Sequence, residues 1–134
     1  NVKPFHNLVG NKTERDSFIK KLNISKFNTY GSNKIEKIDS KNKENLDIEK
    51  INLVKIDDIS FSKQISLMKI DVQGYDLEVL KGAKNTITKY QMPIIFEYEE
   101  DFAIDFNYNF NSFEKFINEI NYKIETQIDK SNYL

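Results

Sequence analysis

The sequence predicts an α/β domain with parallel central strands joined by a helical crossover, and three observations predict it. The stretch from Ile65 to Gly74 is short and mostly apolar, ends in Asp71 and then Gly74, and gives way at once to helical spacing. From Asp76 to about Tyr90, Leu77, Leu80, Ala83, Ile87 and Tyr90 recur at three- and four-residue steps, which makes one apolar stripe for packing on a sheet. Met92-Pro93 then separates this helix from a β-rich stretch, Pro93 to Glu99. Strand, helix, strand at this length is one right-handed crossover, so the strands ending at Asp71 and Glu97 are expected to be parallel neighbours. Their acidic ends then face one crevice, the place where open α/β sheets bind ligands.

The remaining elements follow in chain order. Val2 to Val9 reads as a strand with Pro4 near its start, where proline is tolerated, and Gly10-Asn11 ends it with a turn. His6, the single histidine, reads as a packed or half-exposed residue rather than a catalytic one. Thr13 to Leu22 fits a helix face as well as a broken strand. The Asn-, Ser- and Lys-rich residues 26–45 read as a loop, and the charge run Lys41 to Glu44 as solvated surface rather than a nucleic-acid patch. Asn11-Lys12-Thr13 and Asn23-Ile24-Ser25 match the glycosylation pattern by chance in an Asn-rich chain.

Glu49 to Ile56 alternates, with Ile51 and Leu53 on one side and Asn52 and Val54 on the other, and is expected to be a strand. Asp57-Asp58 suits the start of a short helix, although two adjacent carboxylates also suggest a metal. Asp76 and Glu78 fall in the first turn of the crossover helix, where negative charge favours its positive end. An interior glycine costs about 1 kcal/mol relative to alanine, so Gly82 implies that another backbone approaches closely. Gly74 allows the tight turn at the crevice. Asn111, with Glu114 reaching back, is expected to cap a helix whose buried stripe is Phe113, Phe116, Ile117 and Ile120. Tyr122 to Ile128 reads as a last strand and Asp129 to Leu134 as a tail.

Composition excludes several function classes. The chain has 134 residues, enough for one domain over 1–134, with 39% apolar and 31% charged residues and a net charge of −1. That balance gives no field for gripping nucleic acid or an anionic membrane. Cysteine is absent and His6 stands alone, so thiolate chemistry and sites needing two histidines are excluded, and no metal site is expected. No apolar run approaches the ~20 residues that span a bilayer, and the first residues are no signal peptide, so a cytoplasmic protein is expected. The first residue is Asn rather than Met, which suggests a piece of a longer product.

The segment from Met68 to Ala83, Met-Lys-Ile-Asp-Val-Gln-Gly-Tyr-Asp-Leu-Glu-Val-Leu-Lys-Gly-Ala, resembles the signature of the FkbM family of S-adenosylmethionine-dependent methyltransferases, Lys-Ile-Asp-Val-Glu/Gln-Gly followed by an acidic helix and Leu-Lys-Gly-Ala. The resemblance implies a Rossmann-like methyltransferase fold and methyl transfer to an oxygen of a small molecule or glycan. Asn7-Leu8-Val9-Gly10-Asn11 resembles, more weakly, the family's Asn-Ala-Val-Gly-Asp strand end, whose loop lies near the cofactor's adenine; Leu8 and Asn11 depart from it. By the same resemblance, Asn7, Leu8, Asp71 and Gly74 are cofactor-binding candidates. Asp71 lies near the transferred methyl, and Glu97 matches the glutamate closing the next strand, so Asp71 and Glu97 are the catalytic candidates. Asp57-Asp58-Ile59 resembles the family's Leu-Asp-Asp-Leu step, and the family makes residues 13–22 a strand excursion.

Such a fold needs a glycine-rich turn after its first strand and an acidic residue after its second. The only glycines are Gly10, Gly31, Gly74 and Gly82, too scattered for that loop. The expected fold is therefore partial, the C-terminal half of a family domain without its first cofactor-binding βαβ unit. This half is expected to be inactive alone and to expose strand edges that favour homo-oligomers. Lys69, on the same side of its strand as Asp71, can pair with a carboxylate and tune it, or simply satisfy burial. Glu97, Glu99, Glu100 and Asp101 with Asp71 could form a magnesium site, but an exposed acidic loop is the stronger reading. The aromatic segment Phe102, Phe106, Tyr108, Phe110 is open between acceptor wall, core and partner surface. Two rival functions stand beside methyl transfer. One is a non-catalytic scaffold that keeps the fold; the other is a metal-dependent phosphoesterase, which lacks the lysine expected beside its carboxylates.

Overall fold

The computed structural model describes residues 2, 4–20 and 48–134. The expected loop over 26–45, with its charge run, and the Asn23 triplet lie outside the described residues. Among these residues the chain is a mixed α/β structure with two three-stranded sheets and four α-helices.

The first sheet is built around β3 (Ile48–Val54). Its alternation is the expected one: Ile51 and Leu53 are buried while Lys50 and Asn52 face out. β1 (Leu8–Val9) pairs with it in parallel, Leu8 against Leu53, and β2 (Glu14–Lys20) pairs antiparallel on its other edge. The ambiguous stretch after Thr13 is thus a strand, with a register shift between Glu14 and Ser17. The strand expected over Val2 to Val9 shrinks to its last two residues, because β3 offers it partners only at Leu53 and Val54. Val2 and Phe5 consequently stand 95% and 62% exposed, and His6 is exposed as well.

The second sheet holds β4 (Met68–Lys69), β5 (Ile94–Glu97) and β6 (Asn132–Tyr133), in the order β4-β5-β6. β4 and β5 are parallel, as the crossover requires, with Met68 opposite Ile94 and Lys69 opposite Ile95. The ladder continues past β4, since the Ile70 N–H donates to the Ile95 carbonyl at 2.8 Å. Both strands are shorter than expected. The strand expected over Tyr122–Ile128 is not formed: residues 125–128 only pair loosely with residues 132–134, and the expected tail supplies β6, the strand that pairs with β5. The N–H of Glu125 and the carbonyl of Thr126 bond to Leu134, so residues 125–134 form a hairpin whose second arm lies on β5. Ring stacking decides which arm docks: Tyr133 lies on Phe96 with centroids 5.5 Å apart.

The crossover helix is broken into α1 (Asp76–Gly82) and α2 (Lys84–Tyr90). The break falls at Ala83, directly after Gly82. A Cβ on Gly82 would sit 1.9 Å from the Gly10 carbonyl oxygen, so the backbone approach expected from the glycine is made by the turn after β1. Of the expected stripe, Leu77, Leu80, Ala83 and Ile87 are buried and Tyr90 is half-buried, each large buried side chain contributing about 2 kcal/mol relative to exposure. Asp57, in the 3-10 turn Ile56–Asp58, accepts from the N–H groups of Asn85 and Thr86 at 3.0 and 2.8 Å, capping α2 from a distance. Its neighbour Asp58 accepts from the Thr13 hydroxyl, tying the β2 entry to the same turn.

α3 (Glu100–Ala103) follows β5, and α4 (Phe110–Glu119) closes the core with Phe113, Phe116, Ile117 and Ile120 inward, as expected. The cap of α4 is Asn109 rather than Asn111. Its side chain accepts from the Ser112 N–H at 3.1 Å while Ser112 Oγ accepts from the Asn109 N–H, a reciprocal box with serine in place of glutamate. The aromatic segment divides between these elements: Phe110 packs on Tyr98 and Tyr133, whereas Phe106 meets Tyr75 edge-on at 5.1 Å.

Candidate active site

The carboxyl ends of β4 and β5 form a lip, where the side chains of Asp71, Gln73 and Glu97 meet. The chain leaves β4 through Ile70, which is buried, so Asp71 emerges with half of its side chain exposed. Gln73 and Gly74 then take φ values of 51° and 91° and turn the chain into α1. Only glycine suits the second position, because Phe102 backbone and Cβ atoms would lie 2.7–2.8 Å from any added Cβ. From this turn Gln73 Nε2 donates to Glu97 Oε2 at 3.1 Å and to Asp71 Oδ1 at 3.4 Å. The two catalytic candidates are thus bridged by one amide.

Asp76 fixes the geometry from below. It is fully buried and accepts from the N–H groups of Glu97 and Val72 at 3.2 and 3.4 Å, tying the end of β5 to the turn after β4. It lies in the first turn of α1, as the sequence predicts, and its carboxylate also joins strand end to loop. Glu78 is likewise buried, accepting from Lys81 Nζ at 2.7 Å and from the Tyr108 hydroxyl. Burial, with Glu78 beside it, pushes the Tyr108 hydroxyl well above its ordinary range. This network holds the segment after α3 against α1.

The carboxylates of the lip are pushed in opposite directions. Lys69 Nζ lies 2.8 Å from Asp71 Oδ2, and its hydrogen bond holds the Asp71 carboxyl below the ordinary value of 3.8 against the opposing effect of partial burial. Burial raises Glu97 above 4.5, and the negative charges of Asp71, Glu99 and Asp76 add to it. Burial also raises Asp76. Asp71 therefore gives up its proton more readily than an ordinary aspartate, and Glu97 holds one more readily than an ordinary glutamate, the direction in which neighbouring groups of acid–base sites are separated.

Of the sequence candidates, Asp71 and Glu97 are brought together, and Gly74 shapes the turn between them. Leu8 lies in β1 of the other sheet and Asn7 just before it, both half-buried, so the structure does not bring these two candidates into the group at the lip. Gln73, Asp76 and Ser131 were not foreseen as site residues. Lys69 supplies the lysine that the phosphoesterase reading lacked, but among the described residues no group of three or more His, Asp or Glu converges as metal ligands. No helix among the described residues is long and apolar enough to cross a membrane.

A family model described as the methyltransferase FkbM domain matches residues 1–124. No curated protein and no solved structure matches the chain.

Proposed function

The chain belongs to the FkbM methyltransferase domain family, and on that premise we propose that the lip is the acceptor side of an S-adenosylmethionine-dependent O-methyltransferase acting on a hydroxyl of a small molecule or glycan. The observation that carries this reading is the Asp71–Gln73–Glu97 bridge at the mouth of a parallel β4–β5 pair. The cofactor supplies a methyl group on a positively charged sulfur. A carboxylate held ionised, as Asp71 is, suits such a charge and the acceptor hydroxyl beside it. Glu97, with its affinity for a proton raised, is the group to receive the hydroxyl's proton. Gln73 holds the two oxygens in register, so that positioning contributes alongside proton transfer.

The described residues fit the reacting end of the cofactor and not its remainder. Each described glycine is filled by protein: Gly10 by Tyr75 and Leu53, Gly74 by Phe102, Gly82 by Gly10. None leaves backbone open for the close approach that a dinucleotide-type cradle needs. The reading is thus a partial Rossmann-like domain, and the 134 residues alone bind S-adenosylmethionine weakly and transfer no methyl group. Calorimetry of this chain with S-adenosylmethionine tests that, and micromolar affinity would overturn it. Transfer of labelled methyl by the natural protein that contains this chain, abolished by Asp71→Asn or Glu97→Gln, tests the assignment of the lip. The same filled glycines favour, as second reading, a non-catalytic domain that retains the fold; absence of any transfer by that protein across hydroxyl acceptors would select it.

A further inference from the structure

We infer that the C-terminal hairpin, residues 125–134, completes the acid lip and that Ser131 is the positioning residue for Glu97. These residues lie beyond the segment matched by the family model, and the inference rests on the reading that Glu97 handles the acceptor's proton. The hairpin is placed by several independent contacts. Asp129 Oδ1 accepts from the N–H groups of Ser131 and Asn132 at 3.0 and 2.9 Å, which makes the turn. The Tyr98 N–H donates to the Ser131 carbonyl at 2.7 Å, and β6 sets Asn132 opposite Glu97 and Tyr133 opposite Phe96. Tyr133 is locked between Phe96 and Phe110, the latter at 4.9 Å.

This register carries the Ser131 hydroxyl to Glu97 Oε1 at 3.4 Å, while Gln73 donates to the other oxygen. One donor comes from the family segment and one from the hairpin. The charged groups that act on Glu97 are Asp71 from the loop after β4, Asp76 from α1 and Glu99 from the start of α3, all negative, while Lys69 of β4 is engaged with Asp71. Against that crowd a neutral donor on each oxygen favours the ionised, proton-accepting form and fixes its orientation. Ser131 therefore acts through Glu97, without touching the acceptor.

Carboxyl-labelled glutamate in the full chain allows Glu97 to be titrated by NMR in wild type, Ser131→Ala and Ser131→Thr. The midpoint is expected to move to higher pH in the alanine variant and to return in the threonine variant, with the thermal unfolding midpoint unchanged. Superimposed wild-type and alanine titrations, or no return with threonine, would overturn the inference. No methyl donor enters this measurement, so its failure is separate from failure of the methyl-transfer reading, which the Glu97→Gln assay judges. In the natural protein, kcat of Ser131→Ala should fall about threefold with KM kept, and the acidic limb of its pH profile should move upward. An equal loss at every pH would instead mark a purely structural serine.

Discussion

The lip at the ends of β4 and β5 and the seam between Gly10 and Gly82 lie at opposite ends of α1, and they are built on opposite principles. The seam is a steric contact: two backbones touch with no side chain between them, and Leu53 and Tyr75 close over the gap. The lip is electrostatic, three carboxylates held by an amide, a lysine and backbone N–H groups, with Asp71 half-exposed. The seam gains stability by excluding everything but backbone. The lip gives stability away, since burying Glu97 and Asp76 beside other negative charge is unfavourable. On the proposed reading the lip keeps such groups in order to meet a ligand, and rigid packing elsewhere on the same helix offsets them.

Breaking the seam should have the largest effect. Gly82→Ala drives a methyl into the Gly10 carbonyl, where the obstacle is backbone rather than a flexible side chain; a loss of about 3 kcal/mol or more is expected in urea unfolding. A loss below about 1 kcal/mol would mean that the turn after β1 is not held there. Breaking the lip should separate activity from stability. Glu97→Gln is expected to lower methyl transfer by the natural protein about 100-fold with no loss of thermal stability, and a fall in both together would recast Glu97 as structural.

Asp76 belongs to both regions, at the head of α1 and under the lip. Asp76→Ala leaves the Val72 and Glu97 N–H groups without their acceptor while relieving a buried charge; a net loss of about 2 kcal/mol is expected by denaturant unfolding. A control with no hydrogen bond to either region, Asn109→Ala, should cost about 1 kcal/mol through the cap of α4 and leave the Glu97 titration unmoved.

The smallest effect is that of pH. Glu97 and Asp76 have raised values in the fold, so the folded state takes up their protons first. Their contribution to stability grows as pH falls from above those raised values toward the ordinary 4.5 and 3.8. Asp71 is lowered, so its contribution is present above 3.8 and is lost as pH falls through its folded value. Mild acidification from neutrality should therefore raise the urea midpoint slightly, and Glu97→Gln should remove part of that rise. A midpoint that falls steadily from neutral pH in wild type would contradict the directions of these shifts.

Much of this was legible in the sequence where the signal is local. The stripe from Leu77 to Ile87 is a matter of period, the parallel pairing of β4 with β5 follows from strand–helix–strand at that length, and Gly82 announced a close approach because glycine in a helix is otherwise costly. The Lys69–Asp71 pair could be read from a spacing of two along a strand. The extent of β1, the cap of α4 and the last strand were read differently because each depends on a competitor: two capping asparagines are separated by one residue, and two arms of one hairpin could each have docked on β5.

Amino-acid order alone thus determined the crossover unit, its buried stripe and the presence of an acid at the mouth of each of its two strands, since period, turn chemistry and side-chain alternation act over a few residues. Which donors reach those acids was decided only in three dimensions. Gln73, Asp76 and Ser131 converge on the strand ends from a turn, a helix and a distant hairpin, and no local pattern in the chain records a hydrogen bond between residues so far apart in sequence. Burial then moved Glu97 and Asp76 one way while Lys69 moved Asp71 the other, because the cost of a charge depends on the atoms packed around it and not on the residues beside it in the chain.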